Sequence, residues 1–219
     1  ARPLIVTGSG SAFSAGLDLP TLYDQARAGM GTFLVRFDEV FRTFSCLDRP
    51  TIAAVNGHAV AGGAVLALAC DYRIGAATLS SAKPYGIGLK ESALGIPVPR
   101  IVRDICVASL AGSPWLAEIL LTGDLYSPEQ AAVRGILHRV VPADDLREAA
   151  DAESARFARG TGRAARDLRR IFKPGLWSGD GPVGGGTGER EAVFLDAWFS
   201  PGARARIARS VTNPTPTSS

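Results

Sequence analysis

The sequence predicts an α/β fold with mostly parallel strands, and three observations carry that prediction. Short apolar runs rich in β-branched residues recur at 2–8, 51–57 and 70–76, the first two stopped by glycine. Segments with helical spacing of apolar residues lie between and after them. The 219 residues, 46% apolar and 21% charged, suffice for one compact core. Strands that alternate with helices pair in parallel, because each helix carries the chain back to the edge from which the strand started.

The elements follow in order. Arg2-Pro-Leu-Ile-Val-Thr-Gly8 reads as a buried strand, and the small residues of 8–16 as a flexible loop. From about 32 to 46, Phe33, Phe37, Val40, Phe41 and Phe44 fall on one helical stripe, which Arg49-Pro50 ends. Thr51-Ile-Ala-Ala-Val-Asn-Gly57 is a second buried strand. Gly62-Gly63 opens a helix reaching Ala69, and 70–76 is the third strand. The glycine- and proline-rich stretch 84–99 reads as loops and short turns with one acid, Glu91. Helices are expected at 100–112, 114–121, 127–134 and 143–170, the third capped by Ser127-Pro-Glu-Gln130. A glycine-rich mobile loop at 180–188, a last helix at 189–210 broken near Ser200-Pro201, and a disordered tail complete the chain. No internal repeat is visible. The organisation is a core at 1–142, a helical region at 143–212 and a tail at 213–219.

Composition excludes several classes. A net charge of +3 is too mild for nucleic-acid binding. Cys46, Cys70 and Cys106 are odd in number and widely spaced, so they read as reduced thiols of a cytoplasmic protein. His58 and His138 are too few for a zinc site. The longest apolar run, 59–70, is too short for a bilayer and reads as a buried helix, so no membrane partner is expected.

The chemistry gathers at two glycine-marked turns. The first amides of a helix lack internal partners and carry partial positive charge, and Gly62-Gly63 leaves that backbone bare to a ligand oxygen. A second amide from Ser14-Ala-Gly-Leu-Asp18 completes a pair, the arrangement of an oxyanion hole. Gly8-x-Gly10-x-x-Phe13 is a poor dinucleotide fingerprint, since Phe13 is too large for close helix packing and no helix follows.

Longer phrases sharpen the reading. Gly10-Ser-Ala-Phe-Ser-Ala-Gly-Leu-Asp-Leu19, then Arg49-Pro-Thr-Ile-Ala-Ala-Val-Asn-Gly-His-Ala-Val-Ala-Gly-Gly-Ala-Val-Leu-Ala-Leu-Ala-Cys-Asp-Tyr-Arg-Ile74, then Leu120-Leu-Thr-Gly-Asp124 and Ala131-Ala-Val-Arg-Gly-Ile-Leu-His-Arg-Val-Val-Pro142, resemble in order and spacing the crotonase (enoyl-CoA hydratase/isomerase) superfamily. The resemblance runs from about residue 3 to 175 and is looser over 189–208. It implies a crotonase-like spiral of ββα turns with a helical C-terminal region. It also implies about two strands and a helix before the position of Arg2. Oxyanion-hole amides fall on Leu17 and Gly62, and coenzyme A contacts on Ala15, Leu17, Gly62 and Gly63. Coenzyme A enters as part of an acyl-CoA or carrier-protein thioester substrate, with no permanently bound cofactor and no metal. A homotrimer or hexamer follows, its last helices covering a neighbour's site.

The acids discriminate among reactions. Hydratases of the family carry a glutamate where this chain has Val65, and other members an acid where it has Pro99. Glu91 remains, in Tyr85-Gly-Ile-Gly-Leu-Lys-Glu-Ser-Ala-Leu-Gly-Ile96, which resembles mitochondrial-type Δ3,Δ2-enoyl-CoA isomerases; there the matching glutamate is the acid/base. Adding water needs two proton-handling groups, whereas moving a double bond from 3,4 to 2,3 needs one. The expectation is an isomerase. The alternatives are another reaction of the family (hydration, decarboxylation, thioester hydrolysis) or a non-catalytic interaction module. Ile87, Leu89, Ala93, Leu94 and Ile96 are expected to make the surroundings of Glu91 apolar and raise its pKa, with Lys90 facing solvent. His58 is expected to pack beneath its turn, Asp18 to fix its loop, and Asp71 to end a helix. Trp115, Trp177 and Trp198 read as core or interface, and the arginines of 163–170 as a solvated face, with a share in binding coenzyme A phosphates as the alternative.

Overall fold

The computed structural model describes residues 2–78, 85–160, 163–173, 176 and 189–212. Among them, two parallel sheets are built in alternation. The first has the order β1 (Leu4–Thr7), β3 (Thr51–Val55), β5 (Tyr72–Ala76), β7 (Arg139–Val141). The second has the order β2 (Ala12–Ser14), β4 (His58–Val60), β6 (Ile87–Gly88). Leu4 pairs with Thr51, Ile52 with Tyr72 and Ile74 with Arg139 in the first; Ala12 pairs with His58 and Ala59 with Ile87 in the second. Three times the chain runs through a strand of the first sheet, a strand of the second, and then helix. The helices that follow are α1 (Leu19–Tyr23) and α2 (Arg27–Ser45), then α3 (Gly62–Ala69), then α4 (Glu91–Leu94). The sequence shows no repeat because packing needs only the same backbone path and an apolar face, which many residue combinations provide.

Helices α5 (Arg100–Ser109), α6 (Leu116–Leu121), α7 (Pro128–Val133), α8 (Leu146–Phe157), α9 (Arg163–Phe172), α10 (Glu189–Trp198) and α11 (Pro201–Thr212) complete the architecture. Ser127 caps α7 with a full capping box to Gln130. β3 is buried on both faces: Ala53 and Val55 join the main core, while Ile52 and Ala54 meet Leu146, Ala149 and Ala150 of α8. A continuous apolar strand is what two covered faces require.

Several expectations change. The loop at 8–16 contains β2, the apolar run 59–70 begins as β4 before it becomes α3, and 84–99 contains β6 and α4. These strands are two or three residues long, too short for a periodicity signal. The helix at 143–170 is two helices separated by a 3-10 turn at Ala158–Gly160. Val40 leaves the α2 stripe and is exposed. Residues 180–188, Trp177 and the tail from 213 lie outside the described residues.

The arginine run at 163–170 is not uniformly solvated. Arg163 is exposed and pairs with Asp167, but Arg169 turns inward and is buried. Arg169 and Lys173 both pair with Asp71 at 3.0 Å, and Arg169 also donates to the carbonyls of Ser45, Leu47 and Arg49, at and just beyond the end of α2. Lys173 donates to the Ala69 carbonyl, and Arg73, also buried, to those of Cys70, Gly135 and Ile136. Buried cations therefore cap carbonyl-rich helix ends, where the partial negative charge lies. Asp71 lies just beyond α3, whose cap is Cys70; it accepts from the Thr51 amide and hydroxyl at the start of β3 and is the centre of this charged knot.

Candidate active site

The two glycine turns meet. β4 ends at Val60, and α3 begins at Gly62 with amides that have no partner inside the helix. On the other side, β2 leads through Ser14 and Ala15 into Gly16, whose φ of +91° is a conformation glycine adopts freely. A Cβ added to Gly16 would reach the Val60 carbonyl at 2.7 Å and the Gly62 nitrogen at 3.1 Å. A Cβ added to Gly62 would lie 3.7 Å from the Leu17 nitrogen. The Leu17 and Gly62 amides thus stand on one wall, and neither donates a hydrogen bond among the described residues. Gly63 stands one step back: a Cβ there would meet the Ser14 carbonyl at 2.0 Å, so its bareness lets helix and strand touch.

A cavity of about 360 Å³ opens before this wall. Ala15, Leu17, Gly62 and Glu91 line it, and its surface is mainly apolar, from Phe33, Leu34 and Phe37 of α2, Ile96, Val102, and Phe194 and Trp198 of α10. Ser210 and Val211 of α11 complete the lining. The resemblance placed these last helices over a neighbour's site; here they close over the chain's own, because Trp198, Ala203 and Ile207 pack with Leu22, Met30, Leu34 and Ile96 of the same chain.

Glu91 opens α4, a single turn ended by Gly95 at φ +74°. β6 places it: the Ala61 amide, one residue before Gly62, donates to the Gly88 carbonyl at 2.8 Å. One carboxylate oxygen of Glu91, Oε2, is buried without a hydrogen-bond partner among the described residues. Burial raises the Glu91 pKa, against a weaker opposing pull from the backbone amides of Glu91 and Lys90. Cys106, buried behind it, is pushed up to about 12 by burial first and then by the Glu91 charge.

Asp18 also lines the cavity, in the opposite environment. It caps α1, accepting from the Thr21 hydroxyl at 2.7 Å and the Thr21 amide at 3.3 Å, and these bonds lower its pKa. His58 lines the cavity rather than only packing beneath its turn; its Nδ1 accepts from the Gly86 amide at 3.1 Å. Lys90, expected in solvent, is half-buried and also on the lining. Val65 is fully buried within α3, and Pro99 lies on the lining. Among the described residues, no three His, Cys, Asp or Glu side chains gather as metal ligands, and no helix is long and apolar enough to cross a membrane. The sequence did not reveal the contribution of α10 and α11, which lies beyond the densest motif match.

Comparison with known proteins agrees with this geometry. Residues 1–177 match the family model described as enoyl-CoA hydratase/isomerase. The crystal structure of human mitochondrial Δ3,Δ2-enoyl-CoA isomerase superposes with a TM-score of 0.82 at 25% identity, covering 97% of this chain and 80% of that one. Mouse mitochondrial enoyl-CoA delta isomerase 1 is 35% identical over 134 residues, which are 61% of this chain and 45% of the relative. A probable enoyl-CoA hydratase of Mycobacterium bovis is 32% identical over 180 residues, 80% of this chain and 66% of the relative. The chain therefore spans less than two-thirds of the length of these curated relatives.

Proposed function

This chain belongs to the enoyl-CoA hydratase/isomerase family, and on that premise we propose that it is an enoyl-CoA isomerase, moving a double bond from the 3,4 to the 2,3 position of an acyl thioester. The observation that carries the proposal is the contrast between the two carboxylates on the cavity lining. Asp18 is exposed and held ionised by Thr21, which makes it a weak base. Glu91 is buried with an unpartnered oxygen and a raised pKa, which suits a group that must take up and release a proton near neutral pH. Val65 and Pro99 supply no second acid where relatives that add water or hydrolyse carry one.

In the reading proposed, the thioester carbonyl oxygen sits between the Leu17 and Gly62 amides. The Glu91 carboxylate takes a proton from C2. The C2–H electron pair becomes the C1–C2 bond of an enolate, and the charge that develops on oxygen is held by the two N–H donors. The protonated Glu91 then gives the same proton to C4, the π electrons shift, and the carbonyl re-forms with the double bond at C2–C3. No proton or water is consumed. The apolar lining keeps water from the enolate and keeps Glu91 in the protonation range it needs. By the family pattern the working form is a trimer or a dimer of trimers, which sedimentation would test.

The test is conversion of 3-hexenoyl-CoA to 2-hexenoyl-CoA followed by ultraviolet absorbance, with Glu91→Gln beside the wild type. The variant is expected to lose about 10²–10⁴-fold in kcat. A variant within threefold of wild type would place the base elsewhere. Formation of a 3-hydroxyacyl product from 2-hexenoyl-CoA, faster than isomerisation, would favour hydration, the reaction named for the Mycobacterium relative.

A further inference from the structure

Immediately before the Gly62 donor sits the one non-glycine residue with positive φ among the described residues, Ala61, at φ 51° and ψ −119°. These are the angles of the first central position of a type II′ turn, which glycine ordinarily fills. A side chain there is strained, and such strain persists only where the surroundings over-determine it. Two bonds do so. The Ala61 amide donates to Gly88 at 2.8 Å, and the Ala61 carbonyl accepts the first bond of α3 from Val65 at 3.0 Å.

Those bonds involve only backbone, so they would hold a glycine as well. What alanine adds is a methyl group, and its position is informative. It faces Gly16: a Cβ built on Gly16 would lie 3.4 Å from the Ala61 Cβ. Gly16 precedes Leu17 and Ala61 precedes Gly62, so the methyl faces the residue before one amide from the residue before the other. We propose that Ala61 is a positioning residue whose methyl acts as a spacer, holding the Leu17 and Gly62 amides at the separation that lets both donate to one carbonyl oxygen. Without it, the Gly16–Leu17 turn shifts along the end of β4, against which it already packs, and the donors no longer converge. The proposal rests on the oxyanion-hole reading of those amides.

The test uses the whole chain with Ala61→Gly, and Ala61→Ser as the variant that keeps a Cβ. The readouts are the melting temperature, kcat with 3-hexenoyl-CoA, and the infrared carbonyl stretch of bound hexanoyl-CoA labelled with carbon-13 at the thioester, a saturated ligand that reports on the donors without reacting. Ala61→Gly is expected to melt about 2–4 °C higher, because relief of the strained φ outweighs the added chain entropy. It is also expected to lose about tenfold or more in kcat and at least half of the downward shift of the carbonyl stretch, with hexanoyl-CoA affinity within about threefold. Ala61→Ser should keep the shift and most of the rate. Wild-type shift and rate in Ala61→Gly would overturn the spacer role and leave the site reading intact. Equal losses in both variants would also overturn it, since the methyl would not be what matters. A wild type that binds hexanoyl-CoA with no carbonyl shift, or does not bind it, would overturn the site reading and the spacer role together.

Discussion

Gly62→Ala separates the fold from the function more cleanly than any other single change. A Cβ at Gly62 meets only ordinary contacts: Gly16 Cα at 3.5 Å, Leu17 Cγ at 3.6 Å and the Leu17 nitrogen at 3.7 Å. Its backbone is not in the left-handed region, and it is the first residue of α3, so alanine should be neutral to stabilising by up to about 1 kcal/mol. Yet the methyl occupies the space between the Leu17 and Gly62 amides, where an oxygen accepting from both must sit. Losing even one such donor costs about 10²–10³ in rate, roughly 2.7–4 kcal/mol. The expected result is a folded protein, melting within about 4 °C of wild type, with the 3-hexenoyl-CoA isomerisation rate down at least a hundredfold. Gly63→Ala is the counter-case. Its Cβ would overlap the Ser14 carbonyl at 2.0 Å, so that variant should lose about 1–3 kcal/mol of stability through overpacking. If Gly62→Ala retained a third or more of the wild-type rate, no oxygen could lie between these amides during the reaction, and the oxyanion-hole assignment would fall.

Two further predictions concern buried charge. Asp71→Asn removes the anion that Arg169 and Lys173 share, so thermal unfolding should show a loss of about 3–5 kcal/mol, or roughly 6–20 °C. Because Glu91 has its folded-state pKa raised above the unfolded value, the folded chain binds more protons in the window between the two. Its contribution to stability is therefore lost as pH rises through that window, and Glu91→Gln should flatten the fall in melting temperature above about pH 4.5; an unchanged pH profile would mean that Glu91 is not desolvated.

Three strands of the first sheet, β1, β3 and β5, were legible as short apolar runs, clearest in β3, which is covered on both faces; β7, three residues beginning with an exposed arginine, was not. Nor was the second sheet. β2, β4 and β6 are two or three residues long, and their pairing is set by the path of the first sheet. Their residues, such as Ala12, Ala59 and Gly88, carry no strand signature of their own. The candidate site divides in the same way. Glycines at 62 and 63 and the acid at 91 were picked out only by the family phrases around them, because taken alone such glycines are usually plain turn residues and a lone loop carboxylate is usually solvated. Arg169 was not: an arginine in a basic helical run looks solvated until Asp71 and the carbonyls at the end of α2 are brought to it by long-range packing. That Lys90 and His58 also reach the cavity lining was likewise not legible, since side-chain direction beside a one-turn helix or in a three-residue strand depends on neighbours distant in sequence.

The least motif-rich part of the chain has a large share in the electrostatics of the site. The Glu91 pKa rises because water is kept from it, and part of that exclusion comes from α10 and α11, whose Phe194, Trp198 and Val211 line the cavity. α11 is tied to both walls at once. Arg204 donates to the Tyr23 carbonyl at 2.7 Å and stacks 3.5 Å above the Tyr23 ring, holding α1, which follows the Leu17 turn. Arg206 donates to the Leu94 carbonyl at 3.0 Å, holding the far end of the single turn that Glu91 begins. Loosening this segment is expected to admit water to Glu91 and bring its pKa down towards the ordinary carboxylate value, without a change at Glu91 itself. On the proposed reading the amides and the carboxylate supply the chemical groups, and helices that sequence motifs hardly mark share in the burial that raises the Glu91 pKa.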